Sequence, residues 1–262
     1  MTTIYNDIKK NIIQNFKPDS KISNLIYFDS INSTNTYAKE ISHEAKHGTL
    51  IVADKQTLGR GRSGHTFESP SGTGLYMTLI LKPKIEISEF QMITIADAVA
   101  VCLAIENLYP ASKDELKIKW VNDVLFRGKK ISGILTEAVN FNGKVESIVT
   151  GIGINITTHN FEGNFNAGAI FDEGEKILFS REELCAKIAD YIMDFAEDLN
   201  NPEIISEYRR RSILTGKNIS YIKGDTKFFA EVLGINDDGG LIVLNQNSEK
   251  EILRSGEVSM IR

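Results

Sequence analysis

The chain has 262 residues, of which 42% are apolar and 25% charged, and this composition supports a buried core in one large domain or in a large and a small domain. Its 30 basic and 35 acidic residues give a net charge of −5, which argues against a general polyanion-binding protein but permits a small basic pocket. A charged N-terminus, apolar runs too short to cross a bilayer and only two cysteines predict a cytoplasmic protein with no membrane partner.

The first third of the chain alternates between helix and strand signals. Apolar residues at helical spacing predict a helix over residues 4–16, and Ser33-Thr34-Asn35 supplies capping side chains for a polar helix that ends near residue 47. β-rich runs predict strands at 24–29, 49–53 and 75–81. The last two strands are separated by a loop of about twenty residues rich in glycine, arginine and serine, a length that is uncommon unless the loop has a function.

The rest of the chain predicts an α+β domain followed by a small β-rich domain. Residues 90–108 form a mostly apolar helical run, and further helices are expected at 182–199 and 203–211. Strands are expected at 116–120, 124–126, 131–139 and 145–149, with Asn142-Gly143 as a hairpin turn. After residue 213, short β runs alternate with glycine and aspartate turns. This pattern predicts a domain with a mixed sheet and helices over 1–213 and a small β-barrel over 214–262.

Two motif matches have the wrong surroundings for the chemistry they suggest. The segment H-E-A-K-H at 43–47 fits the H-E-x-x-H pattern of zinc peptidases, but Gly48 and a β run follow at once, so His43 and His47 are not expected on one rigid helix. A zinc peptidase therefore stays a remote alternative, and no side chain is assigned to a metal. Residues 59–64 fit G-x-G-x-x-G, but no helix opens after them, which excludes a dinucleotide fingerprint.

Two polar clusters are candidates for chemistry. Arg60 and Arg62 alternate with glycines in the long loop, either as solvated charges on a mobile surface loop or as guanidinium groups that fold over an anion. The second cluster is K-W-V-N-D at 119–123, followed by Lys130, and it serves either a turn and a hairpin tip or a site. The residues alone leave both alternatives open.

Five pieces of the sequence occur in the order and spacing found in biotin–protein ligases. They are S-T-N at 33–35, Gln56 with G-R-G-R-S-G at 59–64, K-W-V-N-D at 119–123, K-I-S-G at 130–133 and G-I-G-I-N at 151–155. Each piece alone is a weak signal, whereas the combination is specific. From about residue 25 to the C-terminus the chain resembles this family. The resemblance implies a catalytic domain with the fold of class II aminoacyl-tRNA synthetases and biotin ligases, and an SH3-like C-terminal barrel.

The resemblance also implies an activity. Biotin–protein ligases join biotin to ATP as biotinyl-5′-AMP, releasing pyrophosphate, and pass the biotin to one lysine of a biotin carboxyl carrier domain; Mg²⁺ accompanies the nucleotide phosphates. The implied partner is the carrier domain of acetyl-CoA carboxylase or of a related biotin enzyme. Family cores often pair through a sheet edge, so a homodimer is an open expectation. The segment before Ser33 is too short for the winged-helix domain of repressor members, so no DNA partner is expected.

Family roles carry over onto the matching positions. The expected biotin site comprises Ser33, Thr34, Asn35, Gln56, Gly59, Arg60, Gly61, Arg62, Lys130, Gly133, Gly151 and Gly153. The expected ATP and adenylate site comprises Arg62, Phe67, Lys119, Trp120, Asn122, Lys130 and Asn155. The expected catalytic residues are Lys130, which holds the two reacting anions, Arg62, in the loop that closes over the adenylate, and Asp123, an orienting group or the base for the incoming lysine.

Three positions depart from the family pattern. Val121 replaces the usual proline, Ser63 replaces a common third arginine, and Phe67 replaces a tryptophan that lies against the adenine in some members. The alternative functions are a lipoate or octanoate ligase or transferase of the same fold, and a non-catalytic biotin-binding module. The arginine–glycine loop and the C-terminal barrel favour biotin over lipoate, and the presence of Lys130 favours an enzyme.

Overall fold

The structure, a computed structural model, describes residues 2–82, 90–141, 144–158, 161, 166–223 and 226–261. The hairpin turn expected at Asn142-Gly143 lies outside these residues. The helices of the described part are α1 (Thr2–Asn15), α2 (Thr34–Ile41), α3 (Phe90–Leu108), α4 (Arg181–Phe195) and α5 (Pro202–Arg211). Its strands are β1 (Asn24–Phe28), β2 (Thr49–Ala53), β3 (Gly74–Leu81), β4 (Leu116–Lys119), β5 (Asp123–Phe126), β6 (Lys129–Phe141), β7 (Lys144–Asn155), β8 (Asn218–Lys223), β9 (Thr226–Ile235), β10 (Leu241–Asn245), β11 (Lys250–Leu253) and β12 (Val258–Met260).

The larger sheet has seven strands in the order β1-β2-β3-β7-β6-β5-β4. The β1–β2 pair is parallel and every other neighbouring pair is antiparallel, which gives the mixed sheet that the sequence predicts. Every residue of β3 is buried, because α2 contacts β3 and β7 while α4 also contacts β3. The N-terminus of α2 therefore lies over the middle of the sheet.

Helix α3 is the core helix of this domain. Residues 92–102 are all buried, and the helix contacts α4, α5 and strands β4, β5 and β6. It is the one helix in the described part of the chain that is long and apolar enough to span a membrane, and 72% of its apolar window is buried inside the protein. The helix also carries a buried acid, Asp97, which accepts a 2.5 Å hydrogen bond from Thr150 Oγ1. Burial raises the pKa of Asp97 to about 7, although the Thr150 bond opposes the rise.

The C-terminal strands form a second, antiparallel sheet in the order β11-β10-β9-β8-β12. Its edge strand β12 is absent from the sequence-based predictions. Trp120 Nε1 and Gln91 Nε2 both donate to the backbone oxygen of Gly239, at 2.9 and 2.7 Å, and Arg209 Nε donates to the backbone oxygen of Ile235 at 2.8 Å. These bonds hold the small sheet against the larger domain. A small C-terminal β domain is thus confirmed, while its boundary with the larger domain stays a prediction.

Helix α2 is shorter, and strand β7 longer, than the sequence pattern predicts. Helix α2 ends at Ile41 because the Ser42 hydroxyl bonds the backbone carbonyl three residues back, so residues 43–47 form turns. Strand β7 continues through residues 151–155, where it pairs with β3 on one side and with β6 on the other. Glycine is depleted in strands, which hides this extension from a pattern-based prediction. The extension brings two glycines to the centre of the sheet.

Candidate active site

A small pocket lies where the N-terminus of α2 meets the centre of the sheet. Thr34 donates twice to Gln56 Oε1, from its backbone N–H at 2.8 Å and from Oγ1 at 3.0 Å, and Gln56 Nε2 donates to Ser69 Oγ at 2.9 Å. Ser33 caps α2 by accepting a bond from the backbone N–H of Thr36. We name this cavity the ring pocket; it is bounded by Ser33, Thr34, Asn35, Gln56, Gly151 and Gly153.

Asn35 is fixed in the ring pocket by bonds to three other residues. Its Oδ1 accepts from Thr78 Oγ1 at 2.7 Å, and its Nδ2 donates to the backbone oxygen of Leu135 at 3.0 Å and to Glu137 Oε2 at 3.1 Å. A Cβ at position 151 would lie 1.9 Å from Asn35 Oδ1, so glycine is the residue that leaves room for this amide at position 151. The pocket therefore has fixed hydroxyl and amide groups, which suit an uncharged polar ring.

The arginine–glycine loop folds into a short hairpin over the ring pocket. Its Gly61 N–H donates to the His65 backbone oxygen at 2.7 Å, and its Phe67 N–H donates to the Gly59 backbone oxygen at 3.0 Å. Ser63 lies in the turn with φ of 51°, in the left-handed region that non-glycine residues seldom adopt. The hairpin places side chains from both of its arms near the sheet.

A second cavity, of about 310 Å³, adjoins the ring pocket. We name it the basic pocket; its walls include Arg62, His65, Lys119, Asp123, Lys130 and residues 256–259, which span the end of the β11–β12 loop and the start of β12. Arg60, Phe67 and Gly133 line both cavities. The two pockets therefore share a wall, and groups bound in each would meet there.

Lys130 lies beside this shared wall. Its Nζ is 2.6 Å from Asp123 Oδ1, and a Cβ built at Gly133 would lie 3.5 Å from the same Nζ. The backbone of Lys130 is held by a neighbouring segment, since its N–H donates to the Asn166 oxygen at 2.8 Å and its oxygen accepts from the Gly168 N–H at 2.9 Å. Two hydrogen bonds thus hold the backbone of Lys130, and an ion pair with Asp123 holds its ammonium group.

The basic pocket keeps positive charge that its own acids do not neutralise. Arg62 donates to two neutral acceptors, Asn122 Oδ1 at 3.0 Å and the Gly256 backbone oxygen at 3.3 Å. Within the described residues, neither Arg62 nor Lys119 has a carboxylate at ion-pair distance. A local excess of guanidinium and ammonium groups suits phosphates, even on a chain with net charge −5.

Phe67 lies at the boundary between the two pockets. A Cβ at Gly153 would lie 2.5 Å from Phe67 Cε1, so the ring packs directly on the backbone of β7. The ring also meets Tyr76 edge-on, with centroids 6.5 Å apart. The expected stacking of Phe67 on an adenine stays a prediction; the structure places the ring on β7, over the wall that the two pockets share.

Most of the predicted residues lie at these cavities. Those at the ring pocket are Ser33, Thr34, Asn35, Gln56, Arg60, Phe67, Gly133, Gly151 and Gly153. Those at the basic pocket include Gly61, Arg62, Lys119, Trp120, Asn122, Asp123 and Lys130. Gly59 lies at the base of the hairpin, where a Cβ would come within 2.2 Å of the Phe67 backbone oxygen. The roles of all these residues remain predictions.

Asn155 is placed differently from its predicted role as a nucleotide ligand. It is buried outside the linings of both pockets, and its Nδ2 donates to the Gly168 backbone oxygen at 3.1 Å. Its own backbone oxygen accepts from the Ile170 N–H at 3.1 Å. This position does not fit a direct contact with ATP, because the side chain instead holds the segment that bonds the Lys130 backbone.

The H-E-x-x-H match does not form a metal site. His43 Nδ1 lies 2.7 Å from Glu146 Oε1, and His47 Nδ1 accepts a bond from the Lys82 backbone N–H at 2.9 Å. Throughout the residues that the structure describes, no group of three or more histidines, cysteines or acids is arranged to hold a metal ion. The turns that follow α2 thus separate the two imidazoles, and the zinc-peptidase alternative is not favoured.

Two parts of the site are absent from the sequence-based predictions. Glu137 contacts Asn35, and strand alternation could have identified it, because Gly133, Leu135 and Glu137 follow one face of β6. Residues 256–259 also line the basic pocket, but they come from the C-terminal sheet. No local pattern could have shown that contact, since it depends on how the two domains pack.

Comparisons with known proteins identify the family of the chain. The profile of the Biotin/lipoate A/B protein ligase family matches residues 27–155. A Bacillus spizizenii protein named bifunctional ligase/repressor BirA is 34% identical, over 87% of this chain and 71% of that protein. A Mycobacterium tuberculosis biotin–[acetyl-CoA-carboxylase] ligase is 26% identical, over 82% of this chain and 80% of its own length. The structure of Aquifex aeolicus biotin protein ligase in complex with biotin and ATP superposes with a TM-score of 0.74 at 28% identity, covering 92% of this chain and 99% of that one. The chain therefore belongs to the biotin/lipoate A/B protein ligase family.

Proposed function

We propose that this protein is a biotin–protein ligase, which makes biotinyl-5′-AMP from biotin and ATP and then transfers the biotin to a carrier-domain lysine. The proposal rests on one observation: a pocket lined mainly by uncharged hydrogen-bonding groups and a positively charged pocket share a wall of Arg60, Phe67 and Gly133. A ligand with a polar ring and a carboxylate tail fills the first and presents its carboxylate to the second. The Aquifex aeolicus relative, whose structure contains biotin and ATP, supports this choice of ligands.

In the first step a carboxylate oxygen of biotin attacks the α-phosphorus of ATP. The bond from that phosphorus to the bridging oxygen breaks, and pyrophosphate leaves with the electron pair. Two anions must approach each other, and the Lys130 ammonium beside the shared wall is placed to attract both. A preorganised donor of this kind contributes about 2.7–4 kcal/mol to catalysis. Asp123 serves here to hold the ammonium in position.

The hairpin protects the product of that step. Biotinyl-5′-AMP is a mixed anhydride, which water would hydrolyse, so the site must exclude solvent until the carrier arrives. Arg62 connects the hairpin to Asn122, in the turn between β4 and β5, and to Gly256, in the loop between β11 and β12. These two bonds hold the hairpin as a cover over the shared wall.

In the second step the lysine amine of the acceptor attacks the acyl carbon. The bond between that carbon and the phosphate oxygen breaks, AMP leaves, and the amine loses a proton. Asp123, which lines the basic pocket, is the proposed acceptor of this proton. The name of the Mycobacterium tuberculosis relative supports a biotin carboxyl carrier domain of acetyl-CoA carboxylase, or of a related biotin enzyme, as the acceptor.

The basic pocket is not a dedicated magnesium cage. It has two carboxylates, and each already contacts a basic side chain: Asp123 contacts Lys130 at 2.6 Å and Glu257 contacts His65 at 3.2 Å. This donor set fits a Mg²⁺ ion whose ligands are mainly phosphate oxygens and water. When bound, the ion would neutralise negative charge on the departing pyrophosphate.

The ring pocket favours biotin over lipoate. Thr34, Asn35 and Gln56 carry fixed hydroxyl and amide groups suited to the N–H and C=O groups of a ureido ring. The dithiolane ring of lipoate has neither group. A site that hydrogen-bonds its ligand discriminates strongly against an analogue that lacks the matching donors and acceptors.

The test compares the two acids directly. The protein is incubated with ATP, Mg²⁺ and either biotin or lipoate while pyrophosphate release is followed, and a purified carrier domain is then added and analysed by mass spectrometry. We expect release with biotin and a single biotinylated lysine on the carrier. Turnover with lipoate but not with biotin would overturn the proposed substrate.

A further inference from the structure

Glu137 is a half-buried acid on β6 that receives donors from three parts of the chain. From α2, Lys39 Nζ lies 2.9 Å from its Oε1. From the ring pocket, Asn35 Nδ2 donates to its Oε2 at 3.1 Å. From the hairpin, Arg60 Nη2 lies 3.2 Å from Oε1 and Nη1 lies 3.3 Å from Oε2. One carboxylate thus joins a helix, the ring pocket and the hairpin.

This carboxylate stays ionised although it is partly buried. Burial alone raises the pKa of Glu137, but the hydrogen bonds from Lys39 and Asn35 and the charge of Arg60 outweigh it, so the pKa lies below its usual value. The two cations that contact this carboxylate, Lys39 and Arg60, offset its negative charge, so the acid holds these cations in place and does not serve as a ligand for an anionic substrate. A positioning role accounts for an acid at this place.

The two arginines of the hairpin, Arg60 and Arg62, make different contacts, which indicates different roles. Arg60 makes a two-pronged contact with the Glu137 carboxylate, whereas Arg62 donates only to the neutral oxygens of Asn122 and Gly256. Arg60 therefore has a carboxylate partner within the protein, which it shares with Lys39, whereas Arg62 has no such partner among the described residues and is left for the ligand. Arg60 ties the hairpin to the sheet instead of binding an anion.

We propose that Glu137 is a positioning residue that latches the hairpin over the ring pocket through Arg60 and orients the Asn35 amide. The proposal deepens the biotin–protein ligase function and rests on it. Arg60 lines both pockets, whereas the Asn35 contact leads only to the ring pocket, so loss of the latch acts more strongly on the biotin side of the site. The ATP side depends on Arg62, whose bonds do not involve Glu137.

The first experiment compares Glu137→Gln with wild type and with a matched control, Glu146→Gln. Glu146 lies on the adjacent strand and pairs with His43, outside both pockets. In Glu137→Gln we expect the KM for biotin and the dissociation rate of bound biotinyl-5′-AMP each to rise about 5-fold, the effect of losing one partly exposed ion pair. The KM for ATP rises less than the KM for biotin in that variant, and all three values stay unchanged in Glu146→Gln.

A double-mutant cycle identifies the partner. If the latch acts through Arg60, the Arg60→Gln variant shows the same faster adenylate dissociation, and adding Glu137→Gln to it causes little further change. Additive effects would overturn the latch. Equal increases in the two KM values, together with a lower melting temperature, would also overturn it, since they indicate a general role in folding.

Limited proteolysis tests the latch without relying on catalysis. Chymotrypsin can cleave after Phe67 only when its ring leaves the shared wall, whereas Leu58 is 67% exposed and gives an internal reference. Without added ligands, we expect Glu137→Gln to be cleaved after Phe67 about 5-fold faster than wild type, and Glu146→Gln at the wild-type rate. Equal cleavage of Glu137→Gln and wild type would overturn the latch. If wild type released no pyrophosphate with biotin, the proposed function would fail. The proteolysis of Glu137→Gln and wild type would still show whether Glu137 holds the hairpin in place.

Discussion

Replacing Gly151 with alanine tests the ring pocket at its tightest contact. The new Cβ would lie 1.9 Å from Asn35 Oδ1, 2.7 Å from Cγ and 3.0 Å from Nδ2, closer than non-bonded atoms come. Asn35 is 4% exposed, so its amide can only rotate within the protein and lose its bonds to Thr78, Leu135 and Glu137. At about 1 kcal/mol for each hydrogen bond, the free energy of unfolding falls by about 3 kcal/mol.

Urea unfolding and calorimetric titration with biotin measure the two consequences. Besides the loss of stability, we expect biotin affinity to fall about 10-fold, because one fixed hydrogen-bonding group no longer faces the ring. Gly133→Ala is the matched control for stability: its Cβ would lie 3.5 Å from Lys130 and from Phe67, an ordinary contact, so the free energy of unfolding should change by less than about 0.5 kcal/mol. A Gly151→Ala protein that unfolds and binds biotin like wild type would show that Asn35 does not lie against this glycine.

Three further substitutions test separate features. We expect Lys130→Ala to fold and bind biotin but to release pyrophosphate about 100-fold more slowly, because the cation between the two anions is lost, and a near-normal rate in a pyrophosphate assay would contradict its role. Arg62→Ala should release bound biotinyl-5′-AMP about 10-fold faster in a chase experiment, since its bonds to Asn122 and Gly256 hold the cover closed; an unchanged rate would count against the cover. The pKa of Asp97 is raised from 3.8 to about 7, so the folded state binds its proton more tightly than the unfolded state does, and this group lowers stability as the pH rises through that interval. Subtracting the urea-unfolding free energies of Asp97→Asn from those of wild type should give a difference that falls between pH 4 and pH 7; a flat difference would show that Asp97 titrates normally.

The parts of the fold that local patterns control were predictable from the sequence. β-rich runs identified the strands of the larger sheet, and the apolar run at 90–108 identified α3 with the bounds that the structure has. The alternation of short β runs and turns after residue 213 identified the small C-terminal sheet. The resemblance to biotin–protein ligases supplied the family, which the comparisons confirm, and candidate residues that the structure gathers at two adjoining pockets.

The sequence missed what depends on packing between distant segments. The two glycines at 151–155 weakened the strand signal of β7, yet these residues pair with strands on both sides, and the glycines leave room for the Asn35 side chain at 151 and for the Phe67 ring at 153. Asn155 matched a family motif, but motif position does not reveal that its amide bonds the Gly168 carbonyl. The cytoplasmic location, the homodimer and the absence of a DNA partner stay predictions, since none of them is a property of the described residues of one chain.

Two acids of the site position basic side chains, which explains how a chain with net negative charge can form a pocket suited to anions. Glu137 holds Arg60 and Asp123 holds Lys130, so both cations are positioned before any ligand binds. The two pairs differ in location: Glu137 lies at the ring pocket, whereas Asp123 and Lys130 both line the basic pocket, the proposed site for phosphates. Incoming phosphates therefore compete with Asp123 for Lys130, while the contact between Glu137 and Arg60 persists and keeps the hairpin in place. We therefore expect Lys130 to exchange Asp123 for the reacting anions when ligands bind, whereas Arg60 keeps its contact with Glu137.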